Sequence, residues 1–357
     1  MSEQSASKRI VNLDLIRAVA IVAVVVYHTV QMVGRDGFVA ISKYTHVGHY
    51  GVDLFFVLSG FLIGQLYWRE QIDRGHVDIP RFILRRLLRT YPAYAIAMVL
   101  AFIPVWLVRH QAFDFGYLFF LQNYYDRLPF FLVSWSLCIE EHFYIFLPFI
   151  LYTIRRLKPS KVLVTLLALS SLSLILRVML VKFEDNLPFG YYLTATHFRF
   201  EGLILGVAAA HIFTYFPSIS QWLARPICNF SIVALIALLV PIAPALPTSF
   251  LYYVGPSLVA IIFCLLVLSL ASSKPIRWGE HQLVKILAMS SYSIYLTHAL
   301  VIHLVLLVTN KLGMSAVVTW LAMVGAILAV GYIFYLVVET SALRWRDKIV
   351  PKVPKQI

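Results

Sequence analysis

Charged residues are scarce in this sequence. Only 13% of its 357 residues are Asp, Glu, Lys or Arg, where a soluble domain carries about a quarter. That shortage excludes a water-soluble globular protein, because 61% of the chain is hydrophobic and too little polar surface exists to cover it. Acidic residues are scarcer still, 17 against 30 basic ones. Cysteine is nearly missing: Cys138, Cys228 and Cys264 each lie in an apolar run, with no spacing for a disulfide or a metal centre. They read as packing residues. No small-residue cleavage site follows the first apolar run, so a retained helix is expected there rather than a removed signal peptide. Nor does the sequence show a matched pair of broken hydrophobic segments of the kind that marks transporter repeats.

What is present is a series of long apolar runs, at about 13–33, 51–67, 91–108, 133–153, 161–180, 195–214, 227–245, 251–272, 283–308 and 314–338. They predict an all-α integral membrane protein of about ten transmembrane helices. The basic excess of +13 invites a nucleic-acid reading, but its distribution points elsewhere. With the N-terminus inside, the inner loops hold 21 Lys and Arg and the outer loops 6. By the positive-inside rule both termini are expected in the cytoplasm, with no nucleic-acid partner. The predicted organisation is a cytoplasmic tail over 1–12, one transmembrane domain over 13–338 and a basic cytoplasmic tail over 339–357. Residues 79–89 form a basic amphipathic stretch, with Pro80 suited to a first helical turn and an end expected before Tyr91-Pro92. The outer loop 117–131 is rich in Tyr and Phe, as at a headgroup interface.

Ionisable groups inside a span are costly and point to function. Arg17 and His28 lie eleven steps apart on the first helix, which at ~100° per residue places them on one face and about 16 Å apart along the axis. Asp14 falls within roughly 60° of both and is placed to pair with Arg17 at i,i+3. A permanent cation and a titratable base at opposite depths suit a ligand with a charged head and a remote reactive end, as in coenzyme A thioesters. Asp53, at the outer end of the second span, stands close in depth to His28 and either orients its ring or caps the helix. Ser59-Gly60 and Gly64 on that span permit close helix approach.

The fourth span carries Trp135, Ser136, Glu140, Glu141, His142 and Tyr144. Ser136, Glu140 and Tyr144 follow i,i+4 spacing along one stripe, whereas Glu141 is turned about 100° away. One carboxylate is placed to balance an imidazolium on His28, the other an arginine such as Arg177 or Arg199; a packing network of buried charge is the competing reading. Arg85, Arg86 and Arg89 stand where the chain re-enters the membrane, and the Arg86/Arg89 pair shares a helix face suited to phosphate oxygens or to anionic lipid headgroups. Arg199 and Glu201 add charges in the sixth span, as structural partners. Ser291, Tyr295 and His298 share a face of the ninth, where they either line a polar cavity or bond to one another. His46 and His49 have i,i+3 spacing but no evident third ligand, so no metal is expected.

These stretches together resemble the acyltransferase-3 family of bacterial membrane proteins. The resemblance rests on Asp14-Leu15-Ile16-Arg17 with ten residues before His28, Gly51 to Ile63, Arg85 to Pro92, Trp135 to Tyr144, and Ser291 to His298. It implies transfer of an acyl group, usually acetyl, from cytoplasmic acyl-coenzyme A to a hydroxyl on an extracytoplasmic sugar, in a multi-pass protein of the bacterial inner membrane. In related proteins the positions matching Arg17, His28, Arg86 and Arg89 are needed for activity. Some relatives carry a fused hydrolase-like domain, and this chain resembles the stand-alone members. The family's commonest acceptors are surface polysaccharide or lipopolysaccharide sugars, lipid-linked sugars included; a small glycosylated metabolite is the alternative acceptor, and a proton-coupled transporter or flippase the alternative class.

The expected mechanism follows. The nucleotide end of acetyl-coenzyme A docks on Arg85, Arg86 and Arg89, its arm passes Arg17, and its thioester reaches His28, the general base. Glu140, Glu141 or Asp53 supports the ring. Tyr144, Tyr295, His298 and Trp135 are candidates for positioning the acceptor or the oxyanion.

Overall fold

The computed structural model describes residues 10–33, 45–125, 128–183, 194–242 and 245–351. Among the described residues every regular element is helical and none is a strand, so this is an all-α membrane protein. The α-helices in chain order are α1 (Val11–Val33), α2 (Gly51–Arg74), α3 (Ile79–Arg109), α4 (Trp135–Ile154), α5 (Pro159–Phe183), α6 (Glu201–Tyr215), α7 (Pro217–Leu223), α8 (Pro226–Ile242), α9 (Thr248–Tyr253), α10 (Gly255–Ser272), α11 (Gln282–Lys311), α12 (Ala316–Phe334) and α13 (Thr340–Ile349).

Each of the ten expected spans corresponds to a helix, but not all have full spanning length. Among the described residues eight segments are long and apolar enough to cross a membrane, formed by α1 to α5, α10, α11 and the run from α12 into α13. The exceptions are α6 and α8, of 15 and 17 residues, against the ~20 that a span ordinarily takes. Pro217 stops α6, and α7 leaves it at a bend of 111°.

Contacts between helix ends show the chain alternating direction through all ten. At one end the Asn12 side chain donates to the Leu270 carbonyl (2.9 Å) and accepts from the Ile276 amide (2.8 Å). The same end holds the Ser269 hydroxyl on the Leu223 carbonyl (2.6 Å) and His211 on the Pro159 carbonyl (2.9 Å). At the other end Trp320 donates to Thr29 (3.1 Å) and Arg177 to the Tyr253 carbonyl (3.0 Å). The first of these is the basic end, since it gathers the segments around 69–89, 155–161, 274–285 and 344–348.

Local chemistry sets the boundaries. Asp78 caps α3 by accepting from the Arg81 amide (3.1 Å), with Pro80 in the first turn. Gly75, at φ +75°, closes α2 in the left-handed conformation that glycine adopts without strain. The amphipathic stretch does not end before Pro92 as expected; α3 runs through it. Proline removes one helical N–H, but neighbours stabilise the turn around it. The Thr90 hydroxyl bonds back to the Arg86 carbonyl (3.2 Å), and the Tyr292 hydroxyl donates to the Thr90 carbonyl (2.9 Å).

Close backbone approach holds α2 against α6. A Cβ on Gly60 would lie 2.0 Å from the Leu203 carbonyl oxygen, and one on Gly206 2.1 Å from that of Val57. Small residues create such seams in lipid, where burying apolar surface supplies no drive. The outer face of α3 (Val99, Leu100, Ile103, Trp106, Leu107 and Val108) is left uncovered by protein, as a lipid-facing surface requires. Past α12 the chain makes a π turn at Tyr335–Glu339 that turns Glu339 inward to accept from Ser293 (2.6 Å). From there α13 lies on the start of α3, where Asp347 pairs with Arg85 at 2.9 Å.

Candidate active site

Four helices enclose a cavity with about 860 Å³ of empty space, partly open to the outside. The basic end supplies Arg17 from α1 and Arg86, Arg89 and Thr90 from one face of α3. One wall is Ser136, Glu140 and Tyr144, the i,i+4 stripe of α4, with Ser291, Tyr292 and Tyr295 from α11 beside it. The remaining wall is α2, chiefly apolar, with Phe55, Leu58 and Leu62 around the hydroxyl of Ser59. Three guanidinium groups therefore meet a single lining carboxylate, which favours an anionic ligand with an apolar arm. Arg17 stands 3.8 Å from Asp14. Among the described residues neither Arg86 nor Arg89 has a carboxylate within 4.0 Å, which leaves their forks available to phosphate oxygens. Arg85 differs from both: it faces away, held by Asp347 and the Val350 carbonyl.

The two adjacent carboxylates have separate partners, as their rotation on the helix dictates. The Tyr144 hydroxyl donates to Glu140 (3.1 Å), and since a carboxylate only accepts, Ser59 donates in turn to Tyr144. Glu141 lies off the cavity, buried, and accepts from the Thr90 hydroxyl. Neither is paired with Arg177 or Arg199. Arg177, wholly buried, pairs with Glu201 at 2.8 Å, and Arg199 with Asp53 at 2.7 Å. The Arg199 guanidinium also stands 5.7 Å from the ring of Trp135. Asp53 is thus engaged by an arginine and not by His28.

His28 lies beyond the far end of the cavity. Its Nδ1 is 2.9 Å from the Val24 carbonyl and its ring is 4.9 Å from that of His298. His298 is fully buried, one helical turn past Tyr295, whose hydroxyl closes the cavity by reaching Ser136 (2.7 Å) and the Val133 carbonyl (2.9 Å). The structure therefore brings together Arg17, Arg86, Arg89, Glu140, Tyr144 and Tyr295, and sets His28 with His298 just outside. Ser59, Thr90 and Tyr292 were not foreseen as site residues. Thr90 was within reach, four residues after Arg86 on the same face; Ser59 had been read only as a small residue. In the loop before α2, His49 packs on Tyr50 at 3.9 Å; the side chain of His46 lies outside the described residues. Among the described residues no group of three His, Cys, Asp or Glu side chains is arranged to hold a metal.

Comparison with known proteins finds one family profile, described as an acyltransferase domain, that matches residues 10–336. A proposed O-acetyltransferase of Staphylococcus aureus strain MRSA252 is 26% identical over 382 aligned positions, covering 97% of this chain and 60% of that protein. Its counterpart in strain COL is 27% identical over 377 positions, covering 96% and 59%. The O-acetyltransferase OatA of strain NCTC 8325 is 30% identical over 223 positions, covering 57% of this chain and 35% of that protein. The chain spans about three fifths of the length of the first two relatives. No solved structure matches it.

Proposed function

This chain belongs to the acyltransferase-3 family, and from that premise we propose that it is a membrane O-acyltransferase. It moves an acyl group, acetyl before longer chains, from acyl-coenzyme A in the cytoplasm to a hydroxyl of a sugar outside the bacterial inner membrane. The acceptor is a surface polysaccharide, a lipopolysaccharide or a lipid-linked precursor of either. The basic end of the bundle faces the cytoplasm, by the same charge asymmetry that orients other multi-pass proteins.

The observation that carries the reading is the cavity itself, which opens among Arg17, Arg86 and Arg89 and ends at Tyr295, a turn short of the two histidines. Phosphates of the donor bind the arginine forks, and the pantetheine arm lies along Phe55, Leu58 and Leu62. Displacing Tyr295 from Ser136 lets the thioester reach His28. The acceptor hydroxyl gives its proton to His28 Nε2 while its oxygen bonds to the thioester carbonyl carbon. The carbon–sulfur bond then breaks, its electrons go to sulfur, and the thiolate recovers the proton from the imidazolium. The bend between α6 and α7 gives no support to a transporter, because it lies at the basic end, not at mid-depth where transporters break their helices.

The test is to incubate purified protein in lipid with radiolabelled acetyl-coenzyme A and a panel of cell-surface glycans. Label in an alkali-labile glycan ester is expected, and it disappears in His28→Ala, which still inserts and still binds donor. Label transfer that survives in His28→Ala removes the histidine from the mechanism, and no transfer by the wild type to any glycan rejects the function.

A further inference from the structure

We propose that His298 is the partner of the base: the proton taken from the acceptor is held between His28 and His298. The proposal rests on the acyl-transfer reading but is carried by a separate observation, the hydrogen bonding of the two rings.

Each ring has its Nδ1 on a backbone carbonyl, His28 on Val24 (2.9 Å) and His298 on Tyr295 (2.7 Å). A carbonyl only accepts, so both Nδ1 atoms carry hydrogen, and in the neutral ring the lone pair is then on Nε2. At His298 that Nε2 is buried and has no hydrogen-bond partner among the described residues. A bare acceptor inside a membrane protein is costly and calls for an explanation. The ring packed against it, with centroids 4.9 Å apart and planes at 57°, is His28. Neutral His28 has no hydrogen to offer from Nε2. Once it accepts the acceptor's proton, it has one, and a small rotation of either ring forms the Nε2–H···Nε2 bond. His298 thus gains its missing partner only when His28 is charged, a difference between ground and reacting states of the kind that lowers a barrier.

The carboxylates that usually stand behind a catalytic histidine are committed elsewhere. Asp53 faces Arg199, Glu140 accepts from Tyr144, and Glu141 accepts from Thr90. An imidazole partner stabilises the imidazolium without adding a buried negative charge. When the thiolate leaves, it takes the shared proton and both rings return to neutral. The same tautomer means that neutral His298 has no N–H directed away from Tyr295, so it is not a donor to the oxyanion. It is a positioning residue that acts through His28.

Two measurements test this. Nitrogen-15 NMR of histidine-labelled protein in lipid reads the tautomers without any turnover; both rings are expected to show a protonated Nδ1 and a bare Nε2. Any other tautomer at His298 overturns the proposal, whether or not the protein acetylates a glycan. The kinetic arm uses acetyl-coenzyme A and a glycan that wild type labels. His298→Ala is expected to lower kcat about a hundredfold with KM for acetyl-coenzyme A within about twofold, and free imidazole in the assay to restore part of it. His298→Gln, whose amide oxygen supplies an acceptor near the Nε2 position, keeps at least about tenfold more activity than His298→Ala. Wild-type kcat in His298→Ala, or a loss that neither imidazole nor glutamine relieves, rejects the pairing. Failure of wild type to acetylate any glycan rejects acyl transfer and leaves the NMR result to decide the histidine pair.

Discussion

Arg177 on α5 and Glu201 on α6 face each other at 2.8 Å, both buried among apolar helices. Arg177 also donates to Ser257 (2.6 Å) and to the carbonyls of Tyr253 and Phe198, so one side chain ties together α5, α6, α9 and α10. Removing one partner strands the other charge. Arg177→Met is expected to cost about 3–5 kcal/mol, read as a lower unfolding midpoint of the purified protein in detergent. The double variant Arg177→Met with Glu201→Leu is expected to recover at least half of that loss, because no unpaired charge remains.

The α2–α6 seam gives a second expectation. Gly206→Ala places a methyl group 2.1 Å from the Val57 oxygen and 2.7 Å from the Phe61 amide nitrogen, backbone atoms that must shift to admit it. Overpacking of this kind costs about 1–3 kcal/mol. Gly325→Ala on α12 is the control, since its added carbon meets nothing within 4 Å; alanine there is neutral or stabilising by up to about 1 kcal/mol. Thermal unfolding of the two variants side by side is the measurement. Equal midpoints would show that the seam is slack.

How these features relate to the sequence differs from one to the next. The stripe Ser136–Glu140–Tyr144 and the shared face of Arg86 and Arg89 were readable, because helical rotation alone determines which side chains stand together. So was the use of Gly60 and Gly64, since small residues in an apolar run have few other purposes. The choice of ionic partners was not. Arg199 pairs with Asp53 across 146 residues and Arg85 with Asp347 across 262. Such distances are set by how helices are arranged in space, which no local pattern encodes. The same holds for His28 and His298, each recognised alone but not as neighbours. Pro92 misled in the opposite way: it is a genuine local break signal, overruled by Thr90 and Tyr292 around it.

The arginines divide by what they face. Arg86→Ala and Arg89→Ala are each expected to raise KM for acetyl-coenzyme A about 10- to 100-fold, the equivalent of one charge-assisted hydrogen bond or a bidentate pair. Arg85→Ala, which severs only the bond to the C-terminal helix, is expected to change it less than about threefold. Initial-rate kinetics against donor concentration separates these outcomes, and equal effects at all three positions would refute the division.

Glu140 and Glu141 are adjacent yet are expected to behave differently. Glu140 is the carboxylate on the cavity wall, opposite three arginines. Glu140→Gln makes the cavity more positive, so KM for the donor is expected to stay level or fall while kcat drops. Glu141→Gln keeps an oxygen for Thr90 and is expected to lower kcat less than about threefold. A rise in donor KM with Glu140→Gln would show that the carboxylate holds the arginines in place.

The π turn at Tyr335–Glu339 fits one residue more into its span than an α-helix would. That single surplus residue sets the phase between the last span and the amphipathic helix behind it. Deleting one residue from the turn would let it wind back to α geometry and swing everything downstream through about 100°. Asp347 would then point away from Arg85, and the tail would lose its hold on the third helix while every side chain that makes the hold remained in the chain.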